Sequence, residues 1–498
     1  MDKIFKILCL GHNGVETDIK TRQIAKNNNM PYNGLLAENE PILYGYYQTS
    51  ICDIPYGEMI ELVTLFDELV ILNQPISEWT HPTAFYNTVR VAKYASKFMK
   101  VSGIDANQTT PIDVFQQLVD TNKSFCIFPF IELVVNNNYT TVCCRSENPI
   151  TKLTDLVDYQ TDSNYKKIRE DMIAGTLLPE HCSSCYKYEA LGIQSPRQQE
   201  TVEWANWLNI THIDDLWNIT SPAYYEIRAS NICNLQCRMC GPEYSSLIAT
   251  EYKKLGLYVD DTISYTSFDI INFSNLKRLY VAGGEPTATP EFYKFLQLCI
   301  KTDNTKFEFM VNTNANKISK TLFELFAHFE NLQFIISIDG FDAMNHYIRW
   351  PSTWDNIIQN VSALNDNGHV VSFNVTVSIY NVTNLYELLK FFDDTFAGLL
   401  VHCQLVNFKD DILSPFIFPD YDLVLSTLSQ IPVLQCYKND PLLASFIDGL
   451  ITQFSQVVEI DTVRLRKFFD FNDLLDDSRN IKLIDYNKEL DSARQYIL

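Results

Sequence analysis

Three cysteines within one short stretch carry the chain's strongest chemical signal. Cys233, Cys237 and Cys240 stand in Ser230-Asn231-Ile232-Cys233-Asn234-Leu235-Gln236-Cys237-Arg238-Met239-Cys240-Gly241-Pro242, a Cys-x3-Cys-x2-Cys spacing. Thiolates are the protein ligands of iron–sulfur clusters, and three of them around a cubane leave one iron open. Structural zinc sites supply four protein ligands, commonly as paired Cys-x2-Cys knuckles, so the triplet by itself is one ligand short of zinc. A second set lies upstream: Cys126, the pair Cys143-Cys144, and Cys182 with Cys185. Cys9, Cys52, Cys299, Cys403 and Cys436 sit in apolar strand or helix contexts and read as small buried hydrophobes.

Such a loop needs a frame. From about residue 222 the pattern becomes regular, with strands expected at Tyr224–Arg228, Leu276–Val281, Lys306–Val311, Gln333–Ile338, Val370–Ser378 and Leu399–Val406. Helical periods fall at Glu243–Leu255, Pro290–Lys301, Ser319–Phe329, Trp354–Asn367, Leu385–Phe392 and Asp420–Ile431. Alternation of this kind is the signature of parallel β/α units, closed or partly closed into a barrel, and it puts chemistry in the loops after the strands. The triplet directly follows the first of these strands.

The loop resembles the cluster loop of radical S-adenosylmethionine (SAM) enzymes, and segments after later strands extend the resemblance. Ala282-Gly283-Gly284-Glu285-Pro286-Thr287 looks like the family's Gly-Gly-Glu-Pro segment, where backbone and Glu hold the amino group of SAM. Thr313-Asn314-Ala315-Asn316 is similar to its Thr-Asn-Gly loop, and Ser337-Ile338-Asp339-Gly340 to a strand end whose polar side chains face SAM. Arg349 falls where related sequences place an Arg near SAM. The resemblance thus implies metal ligands Cys233, Cys237 and Cys240, and SAM contacts from Gly283, Gly284, Glu285, Pro286, Asn314, Ser337, Asp339 and Arg349. Met239 stands where many members have an aromatic residue. A flexible apolar Met can still pack against adenine.

The upstream set, with Glu189, Gly192 and Ser195-Pro196-Arg197, resembles the auxiliary-cluster segments of twitch and SPASM-containing radical SAM proteins, moved to the N-terminal side of the barrel. Cys126, one of Cys143 and Cys144, Cys182 and Cys185 would then ligate a second [4Fe–4S] cluster. Asn136-Asn137-Asn138-Tyr139 replaces the family's Gly-containing turn. A four-cysteine zinc knuckle stays open as the alternative, as does the choice between Cys143 and Cys144.

The expected architecture is α/β. An N-terminal α/β domain of unknown role (1–120) precedes a small irregular cysteine-rich domain (121–215). A partial (β/α)6 TIM-like barrel (222–440) and a C-terminal helical extension (441–498) follow. In the first part, strands at Phe5–Leu10 and Glu68–Leu72 with helices at Thr17–Asn27 and Thr83–Met99 suggest a small open parallel sheet. Gly11-His12-Asn13-Gly14 lacks dinucleotide-loop spacing and reads as a turn. Lys+Arg number 39 against 61 Asp+Glu, a net charge of −22, which argues against a broad nucleic-acid or membrane-surface footprint. No apolar run is long enough to span a membrane, and 13 cysteines without an export signal indicate reduced thiols and a cytoplasmic setting.

The resemblance implies one-electron reduction of SAM at a [4Fe–4S] cluster, by a reductant such as flavodoxin or ferredoxin, and a 5′-deoxyadenosyl radical that abstracts hydrogen from substrate. Modification of a peptide or protein is the leading expectation. Dehydrogenation of a small metabolite and a non-catalytic iron–sulfur or zinc scaffold are the alternatives.

Overall fold

The structure is a computed structural model. It describes residues 111–498 apart from 137–138, 147, 157, 191–194, 229, 258, 260–266, 407–411, 458 and 498, and, before them, the backbone of five strands. The expected helices at Thr17–Asn27 and Thr83–Met99, the turn after Gly11, and Gly192 lie outside the described residues. The chain divides into two compact units, one of residues 1–131, 145–148 and 160–220, the other of 132–144, 149–159 and 221–498.

In the first unit, β1 (Lys6–Gly11), β2 (Tyr32–Leu35), β3 (Gly45–Ser50), β4 (Glu68–Ile71) and β5 (Lys100–Ser102) form a parallel sheet in the order β2-β3-β1-β4-β5. The strands expected at Phe5–Leu10 and Glu68–Leu72 are β1 and β4. The helices Pro111–Thr121, Ser163–Ile173, Pro179–Ala190 and Pro196–Trp207 follow. Their starts are written locally. The Asp162 carboxylate accepts from the backbone N–H groups of Asn164 and Tyr165, and Ser195 with Gln198 forms a reciprocal capping box ahead of Pro196. Phe115, Phe125, Phe130 and Trp204 supply much of the core.

The second unit is built on an eight-stranded sheet in the order β13-β12-β11-β10-β9-β8-β6-β7. Six consecutive parallel strands are the barrel staves: β8 (Tyr224–Arg228), β9 (Arg278–Ala282), β10 (Glu308–Thr313), β11 (Leu332–Ser337), β12 (Val370–Val377) and β13 (Leu400–Leu405). All six lie within two residues of their expected limits, and this is the partial TIM-like barrel. Alternation explains the closure. On β12, Val371, Phe373, Val375 and Val377 are buried, and Phe373 stacks on Phe392 of the helix Leu385–Thr395 at 4.0 Å, while Ser372, Asn374 and Thr376 face the other way.

The sequence pattern did not reveal the hairpin β6 (Glu132–Asn136) and β7 (Tyr139–Thr141), which extends the sheet beyond β8. Short strands joined by an Asn-rich turn have too few alternating positions to stand out. Among the described residues no helix is long and apolar enough to cross a membrane.

Candidate active site

The loop after β8 is tied to its neighbours by backbone as much as by side chains. Gly284 donates its N–H to the Ser230 carbonyl at 2.7 Å, and Glu285 donates its own to the Ile232 carbonyl at 2.7 Å. This approach requires glycine at 284, since a Cβ there would lie 2.1 Å from the Ile232 oxygen. Gly283 adopts φ +113°, a conformation that side chains disfavour. The Gly-Gly pair after β9 thus forms one wall of the cysteine loop.

Glu285 is 1% exposed, and its carboxylate accepts four hydrogen bonds. One oxygen takes the Thr287 N–H (3.1 Å), the Thr287 hydroxyl (2.7 Å) and the Thr313 hydroxyl (2.7 Å), and the other takes the Asn314 N–H (2.7 Å). Burial raises its pKa, and the bonds from Asn314, Thr287 and Thr313 work against that rise. Glu285 is therefore a clasp between the loops after β9 and β10. Asn314 in turn donates to the Asn234 side-chain oxygen at 2.8 Å, joining the β10 loop to the cysteine loop.

After β11, Ser337 donates to Asn312 at 2.9 Å. Asp339 is fully buried, accepts the Thr376 N–H at 2.7 Å and pairs with Arg349 at 2.6 Å. Arg349 also brings a guanidinium nitrogen to 3.9 Å from the Cys237 sulfur. Asp339 and Arg349 thus form one buried unit directed at a cysteine.

The three thiols fit an iron–sulfur cluster as a donor set. None of them is in a disulfide. Burial pushes the Cys233 thiol up to about 12, with Cys237 and Glu285 adding to the rise. Cys237 and Cys240 are also raised, first by burial, and at Cys237 the Arg349 charge opposes it. Deprotonating these thiols is costly without a metal to take up the charge. Leu235 directs its N–H at the Cys233 sulfur (3.4 Å) and Arg349 faces Cys237, so positive donors already point at sulfur. Among the described residues no three His, Cys, Asp or Glu side chains converge as a single ion would need. A cubane presents separate irons, one to each thiolate, and has no such requirement.

With this geometry in view, the comparisons are informative. Residues 227–392 match the family model described as the Radical SAM superfamily. The chain carries a radical SAM domain. That region spans β8 to the helix after β12, and it contains the cysteine triplet and every expected SAM contact. Solved structures similar to the chain include Streptococcus suis SuiB bound to S-adenosylmethionine (17% identity, 58% of this chain and 60% of that one, TM-score 0.30). SuiB bound to precursor peptide SuiA is similar at 17% identity over 56% and 61%, TM-score 0.29. The enzyme anSMEcpe with bound AdoMet is similar at 17% identity over 45% and 59%, TM-score 0.33. The chain spans about three-fifths of the length of these structures. No curated protein matches it.

The upstream cysteines are divided between the units. In the first unit Cys182 and Cys185 lie one turn apart on the helix Pro179–Ala190, near enough to Cys126 for both to raise its pKa, after burial. Burial pushes Cys182 up to about 11. Arg197 builds this neighbourhood. It forms a two-pronged pair with Glu189 (2.8 Å on each prong) and donates to the carbonyl of Phe125, next to Cys126. Ser195 donates to the same Glu189 at 2.6 Å. Cys143 and Cys144 belong to the radical SAM unit and follow β7, with the Cys144 thiol hydrogen-bonded to buried Glu226 of β8.

Sequence reasoning missed Arg238, Tyr347, Asn472 and Asp476, which back the cysteine loop. A charged residue between two cysteine ligands was the available signal.

Proposed function

We propose that this protein is a radical SAM enzyme that cleaves SAM reductively and modifies a peptide or protein. The observation that carries the reading is the Cys233–Cys237–Cys240 loop at the C-terminal end of the first barrel strand, walled by Gly283-Gly284 and inside the matched family region. Cys233, Cys237 and Cys240 would hold a [4Fe–4S] cluster through three of its irons. When bound, the cluster supplies one electron to SAM at its open iron, which starts radical chemistry.

The chain's own residues would bind, orient and exclude water. Gly283, Gly284 and Pro286 would line the SAM side of the cluster, with Glu285 fixing that loop against Thr313 and Asn314. Ser337, Asp339 and Arg349 would complete the wall, the Arg349 charge lying against the Cys237 thiolate. Cys126, Cys182 and Cys185, with Cys143 or Cys144, would form a second [4Fe–4S] site, with zinc as the alternative occupant. A flavodoxin- or ferredoxin-type reductant and a cytoplasmic setting belong to the same proposal. A peptide substrate is supported by the likeness to SuiB, whose solved structure holds a precursor peptide. Dehydrogenation of a small metabolite is the second reading.

The test is electron paramagnetic resonance of the anaerobically reconstituted, reduced protein with and without SAM. A SAM-dependent change in the cluster signal, absent from Cys240→Ala, is expected. A reducible cluster indifferent to SAM would contradict the proposal.

A further inference from the structure

We infer that the C-terminal helix Thr462–Arg479 holds the cysteine loop in its ligating shape through Arg238, making Arg238, Asn472 and Asp476 positioning residues of the cluster site. The inference rests on the iron–sulfur reading of Cys233, Cys237 and Cys240.

Arg238 lies between two of those cysteines, yet its side chain is 1% exposed and runs away from the strand ends into the protein. It donates to the Tyr347 carbonyl (2.9 Å), to the Asn472 side-chain oxygen (2.9 Å) and to the Asp476 carboxylate. Its guanidinium carbon sits 3.7 Å from the centroid of the Tyr347 ring. The acceptors are themselves fixed. The Tyr347 hydroxyl donates to Asn472 (3.0 Å) and Asp476 (2.8 Å), the Tyr380 hydroxyl donates to Asn472 (3.0 Å), and the second Asp476 oxygen takes the Leu483 N–H (2.8 Å).

The same loop is pinned along its backbone. Gln236 and Arg238 donate their N–H groups to the carbonyls of Trp350 and Ile348, which flank Arg349. A second clamp joins the helix to the segment after the loop: Arg479 pairs with Glu251 through two bonds (2.9 and 2.7 Å), and Ser478 donates to the same carboxylate (3.0 Å). Between the clamps, Cys240 packs against the apolar cluster of Ile248, Tyr252 and Leu475.

The chemistry explains why such bracing matters. A cubane held by three thiolates has no fourth protein ligand to keep it in place, so loss of one ligand's geometry opens a route to release. Bonded partners outside the ligand shell commonly control metal retention by about 10–100-fold. A buried Arg whose every partner lies on the C-terminal helix or on Tyr347 couples ligand geometry to that helix.

The experiment compares full-length, reconstituted wild type with Arg238→Met, Asp476→Asn and the double variant. It measures the rate of iron loss to a ferrous chelator and the resonance g-values of the reduced cluster. Each single variant is expected to lose iron about 10–100-fold faster, with shifted g-values and an unchanged circular dichroism spectrum. The double should be no faster than the worse single, because both changes break one contact. Wild-type rates in both singles, or effects that multiply in the double, would overturn the inference. Should the variants not fold, hydrogen exchange of the cluster-free wild type decides. Protected Gln236 and Arg238 amides support the brace, and immediate exchange refutes it. A wild type that binds no more iron at the triplet than Cys240→Ala would remove the underlying reading instead.

Discussion

Gly284 sits where a Cβ would meet the carbonyl oxygen of Ile232 at 2.1 Å, against backbone that cannot swing aside. Gly284→Ala is therefore expected to push the two loops apart at a cost of about 1–3 kcal/mol, and to lower the iron bound per chain after reconstitution. Ala315 presents the opposite case. It is buried at φ +51°, a left-handed conformation costly for any residue with a Cβ, and it stands where the related loops have glycine. Ala315→Gly should stabilise the protein by up to about 1 kcal/mol, read as a higher denaturant midpoint with unchanged iron content. Both effects were half legible in the sequence. The Gly-Gly and Thr-Asn-Ala segments stood out as motifs, but a motif does not report φ or an interloop distance. The roles of Glu285 and Asp339 were less legible. Each reads as a ligand contact in the motif, whereas their carboxylates are bonded to neighbouring loops or to Arg349, and only folding brings those partners together.

At the scale of elements, the strand ends carry the site. Glu285 joins the loops after β9 and β10 by accepting four donors, and Glu285→Gln would turn an amide NH2 toward groups that also donate. A loss of about 1–3 kcal/mol is expected, with weaker SAM binding in equilibrium dialysis. The helix Pro179–Ala190 depends on a comparable contact. Burial pushes Glu189 upward, but the bonds from Arg197 and Ser195 outweigh it and hold its carboxyl below the ordinary range. Stabilisation from this pair is thus present at neutral pH and lost as pH falls through the lowered value. Glu189→Ala leaves Arg197 buried and unpaired, at about 3–5 kcal/mol, and should free the Cys126 loop. Acid unfolding followed by circular dichroism would show the sensitivity to falling pH in wild type and its reduction in the variant. The parallel staves were legible because apolar runs alternate with helical periods over some two hundred residues. The β6–β7 hairpin was not, since its strands are five and three residues long.

For the whole molecule, the iron count separates the two metal proposals. Wild type with both sites filled should hold about eight irons per chain, and a Cys126/Cys182/Cys185 triple alanine variant about four. Four irons in wild type, with one zinc lost in the variant, would assign the second site to zinc. The central claim rests on the triplet, and the most direct measurement is release of 5′-deoxyadenosine from SAM by anaerobically reconstituted protein with dithionite, beside Cys240→Ala. The account predicts release by wild type and none by the variant. Wild type carrying a reducible cluster at the triplet yet releasing no 5′-deoxyadenosine, or equal release by the variant, would contradict it.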